Sequence, residues 1–467
     1  MKINMFRKIS AFMIAGTHSG CGKTTVSLGI MASLVRKGFK VQAFKVGPDF
    51  IDPGHHRLIT GRASHNLDGW IMDKVYNQGM FYRYSSDADV VVVEGVMGFY
   101  DGISGDKEDG SSAQIAKWLN LPVVLVVDAG AASRSVAAVC LGYKMFDPDV
   151  NIVGFIFNNV ASPYHAKLII DAARYKNLNI MGILYRDHDI KIPSRHLGLF
   201  IAEDFKVRQD RLADWIESGI EIERLLKETE YTIPDFKESP SSNKRDIRIG
   251  IARDRAFCFY YDENIRLLEE AGVQIVPFSP LKDKRLPLPL DGLILGGGYP
   301  ELSCRELSAN TQIMQDIRNL ILKGTPVYAE CGGFMYLMDS IVDLEGNRYK
   351  MLGIFPFECH MQKKLTSLGY RQVITKKDSI LGPAGTIIKG HEFHYSMIKS
   401  YSFEIDTIYS VTGHDDKKEG YLIKNVLGSY IHLHFGSNPK VATYFVQHCK
   451  RFSERNRSFS EPVQNSF

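Results

Sequence analysis

Two sets of residues in this chain have the types and spacing to do chemistry. The first is Gly16-Thr17-His18-Ser19-Gly20-Cys21-Gly22-Lys23-Thr24-Thr25, which follows the apolar run Phe12-Met13-Ile14-Ala15. A strand that opens into a glycine-containing turn and then a helix presents backbone N–H groups to phosphate oxygens. Lys23 is placed for the terminal phosphates and Thr24 for a magnesium ion, with Thr17, Gly20, Gly22 and Thr25 completing an ATP-binding loop. Thr17 stands where the common pattern has its first glycine, and the Gly-Lys-Thr core is intact. The second set begins at Cys331, which follows Val327-Tyr328-Ala329-Glu330 and precedes Gly332, Gly333 and the helical pattern Phe334–Met338. That order is a strand-to-helix elbow presenting a thiol, with Ala329 in place of the usual upstream glycine. A candidate base for the thiol lies much later in the chain, in His432-Leu433-His434. A phosphate loop and a nucleophilic cysteine in one chain bring ATP energy together with a small transferred group.

Carboxylates cluster downstream of the phosphate loop. The segment Phe44-Lys45-Val46-Gly47-Pro48-Asp49-Phe50-Ile51-Asp52-Pro53-Gly54-His55-His56 leaves the end of the second expected strand. In an open parallel sheet such loops converge on the ligand crevice, so Asp49 and Asp52 can hold magnesium or position an acceptor. The run Val90-Val91-Val92-Val93 ends at Glu94. A carboxylate at the tip of a buried strand is costly unless a cation or a hydrogen-bond network compensates it, which marks Glu94 as the magnesium-side acid. Asp101, in Gly98-Phe99-Tyr100-Asp101-Gly102, is either a substrate or metal contact or an Asp-Gly turn.

These groups need elements to position them. Strand-like runs at 11–15, 40–46, 90–94, 123–128, 152–157 and 180–184 alternate with amphipathic segments, which predicts a parallel sheet covered on both faces. A second alternation starts at 247–251 and continues through 273–278, 292–295 and 326–329. The fold expected is α/β with two domains, residues 1–227 and 247–450, joined by a Pro/Ser-rich linker at 228–246 and followed by a polar tail at 451–467.

Bulk composition narrows the function. The 467 residues carry a formal charge of +4, too diffuse for a nucleic-acid partner, and no dense basic block interleaved with aromatics occurs. Basic residues before Ile9–Gly16 imitate a signal peptide, but that short run leads straight into the phosphate loop and reads as a strand. No apolar run approaches membrane-span length. Seven widely spaced cysteines with no CxxC pair suit a reduced cytoplasm.

The phosphate loop, Lys45-Val46-Gly47-Pro48-Asp49-Phe50-Ile51-Asp52-Pro53, Glu94-Gly95-Val96-Met97-Gly98-Phe99-Tyr100-Asp101-Gly102 and Pro193-Ser194-Arg195-His196-Leu197-Gly198-Leu199 together resemble the cobyrinic acid a,c-diamide synthases, relatives of dethiobiotin synthetase. The likeness covers nearly the whole chain. It extends to Arg253-Asp254-Arg255-Ala256-Phe257-Cys258-Phe259-Tyr260-Tyr261 and to Gly390-His391-Glu392-Phe393-His394-Tyr395-Ser396, each on the substrate side or at a domain interface. Leu293-Ile294-Leu295-Gly296-Gly297-Gly298-Tyr299-Pro300-Glu301 resembles the oxyanion loop of class I glutamine amidotransferases. There the N–H groups of Gly297 and Gly298, with that of Gly332, would face a tetrahedral oxyanion.

The resemblance implies an N-terminal P-loop synthetase domain and a C-terminal amidotransferase-like domain. It further implies amidation of the a and c acetate side chains through acyl phosphates in cobalamin biosynthesis, with Mg2+ as cofactor. The partners implied are ATP, L-glutamine and a corrinoid or related tetrapyrrole, with a homodimer left open. Many amidotransferases have a Glu two residues after the base, a place that His434 takes here. Hydrogenobyrinic acid and nickel-sirohydrochlorin are alternative acceptors. A nucleotide-switch ATPase with an inactive second domain is the alternative of another class, but such proteins carry an early lysine where this chain has Thr17 and His18.

Overall fold

The computed structural model describes residues 6–190, 202–234, 246–400 and 404–458, and it divides into two compact units, residues 1–239 and 240–467. The segment 193–199 lies outside the described residues.

In the first unit the apolar runs form β1 (Phe6–Gly16), β2 (Val41–Val46), β3 (His65–Leu67), β4 (Val90–Glu94), β5 (Val123–Asp128), β6 (Ile152–Val160) and β7 (Ile180–Tyr185). They assemble in the order β3-β2-β4-β1-β5-β6-β7, with all of these pairs parallel. Val90–Val93 are buried throughout because helices cover both faces, leaving no solvent side for polar residues to occupy. Alternate residues of β1 therefore feed two cores. Ala11, Met13 and Ala15 pack with Phe44, Val91 and Leu125, and Phe12 and Ile14 pack with Val92, Val124 and Ile156. The parallel sheet puts the C-terminal ends of β1, β2, β4 and β5 along one edge, where α1 (Lys23–Arg36) and α2 (Ile51–Thr60) begin.

The boundary of this unit differs from the sequence expectation. Glu230–Pro234, expected within a linker at 228–246, form β8, which runs antiparallel to the start of β1 with Ser10 opposite Glu230. Ile233 is buried in the sheet core, and the Tyr231 hydroxyl donates to the Leu119 carbonyl, 2.5 Å away. The alternation of Tyr231 and Ile233 carried this signal, and the neighbouring Pro and Ser residues obscured it. Pro234 closes the strand, as a residue with no backbone donor does.

The second unit also has a parallel core. β9 (Ile247–Ala252), β10 (Val273–Phe278), β11 (Gly292–Leu295) and β12 (Val327–Glu330) pair in the order β10-β9-β11-β12, and Val426–Ser429 lies parallel to β12 on its other side. Antiparallel strands Ser367–Thr375, Ile387–His394, Thr407–Val411 and His414–Ile423 extend the sheet, and His432–Leu433 pairs with Ile387–His394. The last described residues form a helix, Lys440–Ser458, so residues 451–458, expected as part of a frayed tail, continue regular structure. Phe452 and Cys449 are buried on its inner face.

Ile156 is fully buried on the α1 side of the first sheet. Ile156→Ala should cost about 2–5 kcal/mol through lost burial and the cavity left behind, read as a lower denaturant midpoint with an unchanged slope.

Candidate functional sites

Backbone geometry shapes the phosphate loop before any ligand arrives. Gly22 has φ 101°, and a Cβ there would meet the Asn158 amide nitrogen at 2.2 Å, so only glycine fits. Asn158 donates to the Cys21 carbonyl (3.0 Å), and the Thr17 carbonyl accepts from the Tyr143 hydroxyl (2.5 Å) while its N–H reaches the Val126 carbonyl (3.2 Å). Thr17 thus fixes the loop through its backbone. Gly20, Gly22, Lys23, Thr24 and Thr25 line a cavity of about 870 Å3 together with Asp49, Asp52, Asp128, Asn159 and Arg186. Its size suits a nucleotide-sized ligand.

Beside this cavity sits a buried charge cluster. Glu94 is inaccessible to solvent; its Oε1 accepts from the Thr24 hydroxyl (2.6 Å) and the Lys45 ammonium (2.9 Å), and its Oε2 faces His56 Nε2 (2.8 Å). Lys45 also bonds Asp52 Oδ2 at 2.6 Å, and Thr24 reaches the same oxygen at 3.4 Å. Burial opposes the Lys45 charge, but Asp52, Glu94 and Asp49 outweigh it and raise the ammonium pKa above its ordinary value. Burial likewise opposes ionisation of Glu94, yet Lys45 and the hydrogen bonds from His56 and Thr24 hold its carboxyl well below the usual range. Asp52 moves the other way, raised by burial and by Glu94 more than Lys45 can offset. Burial lowers the Lys23 pKa, and its ammonium donates to the His18 carbonyl (3.2 Å).

The four carboxylates marked by sequence therefore separate. Asp52 and Glu94 share Lys45 and Thr24. Asp49 lines the cavity, but its Oδ1 accepts the N–H groups of Ile51 (2.7 Å) and Asp52 (3.3 Å) and so ties down the start of α2. Asp101 accepts the Gly98 N–H (2.8 Å) within its own turn, which Phe99 fastens to the Gly16 carbonyl (2.8 Å). The Thr24 hydroxyl and the Asp52 and Glu94 carboxylates are hard oxygen donors within reach of one another, a set that fits magnesium with water and phosphate completing its shell. Among the described residues no group of three His, Cys, Asp or Glu side chains forms a metal cage by itself. Lys45 and His56 were present in the quoted motif without an assigned role. The missed signal was a lysine set between Phe44 and Val46 in the strand Val41–Val46.

In the second unit, β12 and its neighbour Val426–Ser429 end side by side, with Glu330 opposite Ser429 and the Cys331 N–H on the Ser429 carbonyl (2.7 Å). Cys331 takes φ 46° and ψ −106°, a conformation unusual for a non-glycine residue and typical of a nucleophile elbow. The helix Gly332–Leu337 follows at once. Gly298 and Gly332 approach so closely that a Cβ on Gly332 would meet the Gly298 nitrogen at 3.0 Å, which brings two of the expected oxyanion donors together. Gly297 lies against His432, where a Cβ would meet the imidazole Cε1 at 2.3 Å. Burial raises the Cys331 thiol well above its ordinary pKa, which favours the protonated side chain.

His432 is buried, stacks on His391 (centroids 5.0 Å apart) and lies with Nδ1 3.6 Å from Glu330 Oε2. Burial first, then His432 and His434, keep the His391 pKa well below its ordinary value, so His391 is neutral beside His432. His434 caps a short turn by accepting the Gly436 N–H at Nδ1 (3.0 Å), and its ring packs on Tyr261. In the strand Ile387–His394, Glu392 bonds Arg371, His394 and Lys417, a self-neutralised network within the unit.

Lys45→Met should destabilise the first unit by about 3–5 kcal/mol near neutral pH, because two carboxylates are left buried without their cation. Their folded pKa values would then lie above the unfolded ones. Such groups contribute stability at low pH that is lost as pH rises through the folded pKa, so the deficit should shrink towards about pH 5. Calorimetry of both proteins across that range checks the sign.

Residues 12–200 match the CobQ/CobB/MinD/ParA nucleotide binding domain, and residues 248–440 match the CobB/CobQ-like glutamine amidotransferase domain. The chain is 44% identical to the cobyrinate a,c-diamide synthase of Caldanaerobacter subterraneus subsp. tengcongensis, over 95% of this chain and 99% of that one. It is 42% identical to the enzyme of that name from Leptospira interrogans, over 95% and 99%, and 41% identical to that of Synechococcus sp., over 96% and 100%. With both halves matched and the likeness running through nearly the full length of each relative, the chain belongs to the cobyrinate a,c-diamide synthase family.

Proposed function

We propose that this chain uses ATP and glutamine to amidate the a and c acetate side chains of cobyrinic acid. The observation that carries the reading is that each unit holds a complete half of that chemistry. One has a phosphate loop beside a buried Lys–carboxylate cluster, and the other has a strained Cys elbow beside a buried His. Relatives named for this activity at 40–44% identity support it over a nucleotide switch with an inactive second half.

In the first unit, Lys23 and the loop N–H groups neutralise and orient the triphosphate. An acceptor carboxylate oxygen attacks the γ-phosphorus, the bond to the bridging oxygen breaks, and ADP leaves. The acyl phosphate then takes up ammonia, and phosphate departs with the amide left behind. Thr24 and Glu94, with Asp52 adjacent and Asp49 at the cavity wall, would hold a magnesium ion, which supplies charge neutralisation on the phosphates. Lys45 gives that corner a cation that can turn from Glu94 and Asp52 to an incoming carboxylate or phosphate.

In the second unit, His432 accepts the Cys331 proton as sulfur attacks the glutamine side-chain amide, and returns it to the leaving ammonia. The N–H groups of Gly298 and Gly332 face the oxyanion, with Gly297 holding the loop against His432. Water then releases glutamate from the thioester. All seven cysteines are free, which agrees with a reduced cytoplasmic setting, and no helix among the described residues is long and apolar enough to cross a membrane.

Offering cobyrinic acid, hydrogenobyrinic acid and nickel-sirohydrochlorin separately with ATP, magnesium and glutamine, and counting new amides by mass spectrometry, tests the substrate. Two amides on cobyrinic acid are expected; diamide on another macrocycle alone would reassign it. Lys23→Ala should abolish amidation with glutamine and with free ammonium alike, since both need the same activated carboxylate. Substantial ATP-dependent product from that variant would remove the loop from catalysis.

A further inference from the structure

We infer that Glu330, the residue immediately before the nucleophile, is the positioning carboxylate for His432, the part that a Glu two residues after the base plays in many amidotransferases. This rests on the proposed glutaminase role of Cys331 and His432 and goes one residue deeper into it.

The position two residues beyond the base is occupied by His434, whose Nδ1 is committed to the Gly436 N–H. Glu330 reaches His432 from the opposite direction. It ends β12, is 6% exposed, and has its two oxygens in different surroundings. Oε1 accepts from the Tyr328 hydroxyl and from the Leu433 N–H (2.9 Å), the peptide nitrogen next to the base. Oε2 faces His432 Nδ1 at 3.6 Å. One oxygen therefore clamps the carboxylate to the backbone that carries His432, and the other is aimed at the ring.

A carboxylate at Nδ1 holds the proton there and leaves Nε2 to accept the thiol proton. It also stabilises the imidazolium that forms at this buried position. The other titratable groups around Glu330 do not compete for that role. Tyr328 and Tyr409 are held un-ionised by burial and then by the Glu330 charge; Tyr260 is raised by burial. His391, stacked on His432, is neutral. Burial raises the Glu419 carboxyl above its ordinary pKa, and Ser429 takes one of its oxygens (2.7 Å). A separation of 3.6 Å is loose for a hydrogen bond, as such contacts are before substrate closes the site.

The test compares the full-length protein with Glu330→Gln, Glu330→Asp and Tyr328→Phe, each assayed with glutamine and with ammonium as nitrogen source. Glu330→Gln keeps the volume and an acceptor for Tyr328 and Leu433 but removes the charge. Its glutamine-driven kcat should fall roughly 10- to 1,000-fold with the KM for glutamine within about twofold, while the ammonium-driven rate stays at the wild-type level. With the neighbouring negative charge removed, the acid limb of the remaining glutamine-driven rate should move to lower pH, a shift that a merely structural residue would not produce. Glu330→Asp should recover part of the rate, and Tyr328→Phe should show a smaller loss of the same kind. A glutamine-driven kcat within about twofold of wild type in Glu330→Gln overturns the proposal, as does a parallel fall with both nitrogen sources or an unmoved acid limb. Failure of the wild-type protein itself to use glutamine would instead overturn the amidation reading.

Discussion

Each centre is organised around a carboxylate buried at the C-terminal end of a parallel strand, Glu94 on β4 and Glu330 on β12. A charge in that position costs several kcal/mol unless donors surround it, so the fold has to bring partners to it. For Glu94 they are the Lys45 ammonium, the His56 ring and the Thr24 hydroxyl. For Glu330 they are the Tyr328 hydroxyl and the Leu433 N–H, with the His432 ring 3.6 Å from its other oxygen. In both cases at least one partner is a group to which the proposed chemistry assigns a role, so the interactions that make burial tolerable also fix those side chains.

The arrangement follows from parallel-sheet geometry. Strand ends collect along one edge, and the residues just beyond them converge there without long loops. In the first unit that places the start of α1, the start of α2 and the end of β4 within hydrogen-bond reach, as Thr24, Asp52 and Glu94 show. In the second it sets Cys331 and His432 after adjacent strands, joined by the Cys331 N–H on the Ser429 carbonyl. The strained backbone at Cys331 is held by that bond and by the helix that starts at Gly332.

Much of this was legible in the sequence because its signals are local. Unbroken β-branched runs such as Val90–Val93 define buried parallel strands, and Gly22-Lys23-Thr24 and Cys331-Gly332-Gly333 carry their geometry in glycine spacing. Partnerships across the sheet were not legible. Lys45 is 49 positions from Glu94, and Glu330 is 103 from Leu433; only the fold brings them together. Asp101 could be read as ligand or turn from its residue type, and its bond to the Gly98 N–H places it in the turn. β8 was hidden because Pro and Ser residues beside it outweigh the short Tyr231–Ile233 alternation, and the terminal helix because its exposed face is as polar as a tail.

The central claim is a division of labour, in which one centre activates a carboxylate and the other only makes ammonia. It is tested most directly by the ratio of ammonium-driven to glutamine-driven diamide formation in Cys331→Ser, at fixed MgATP and macrocycle. Glutamine-driven synthesis should disappear while synthesis from high ammonium persists near the wild-type rate. Loss of both in a protein that remains folded by circular dichroism, or retention of glutamine use, would contradict it.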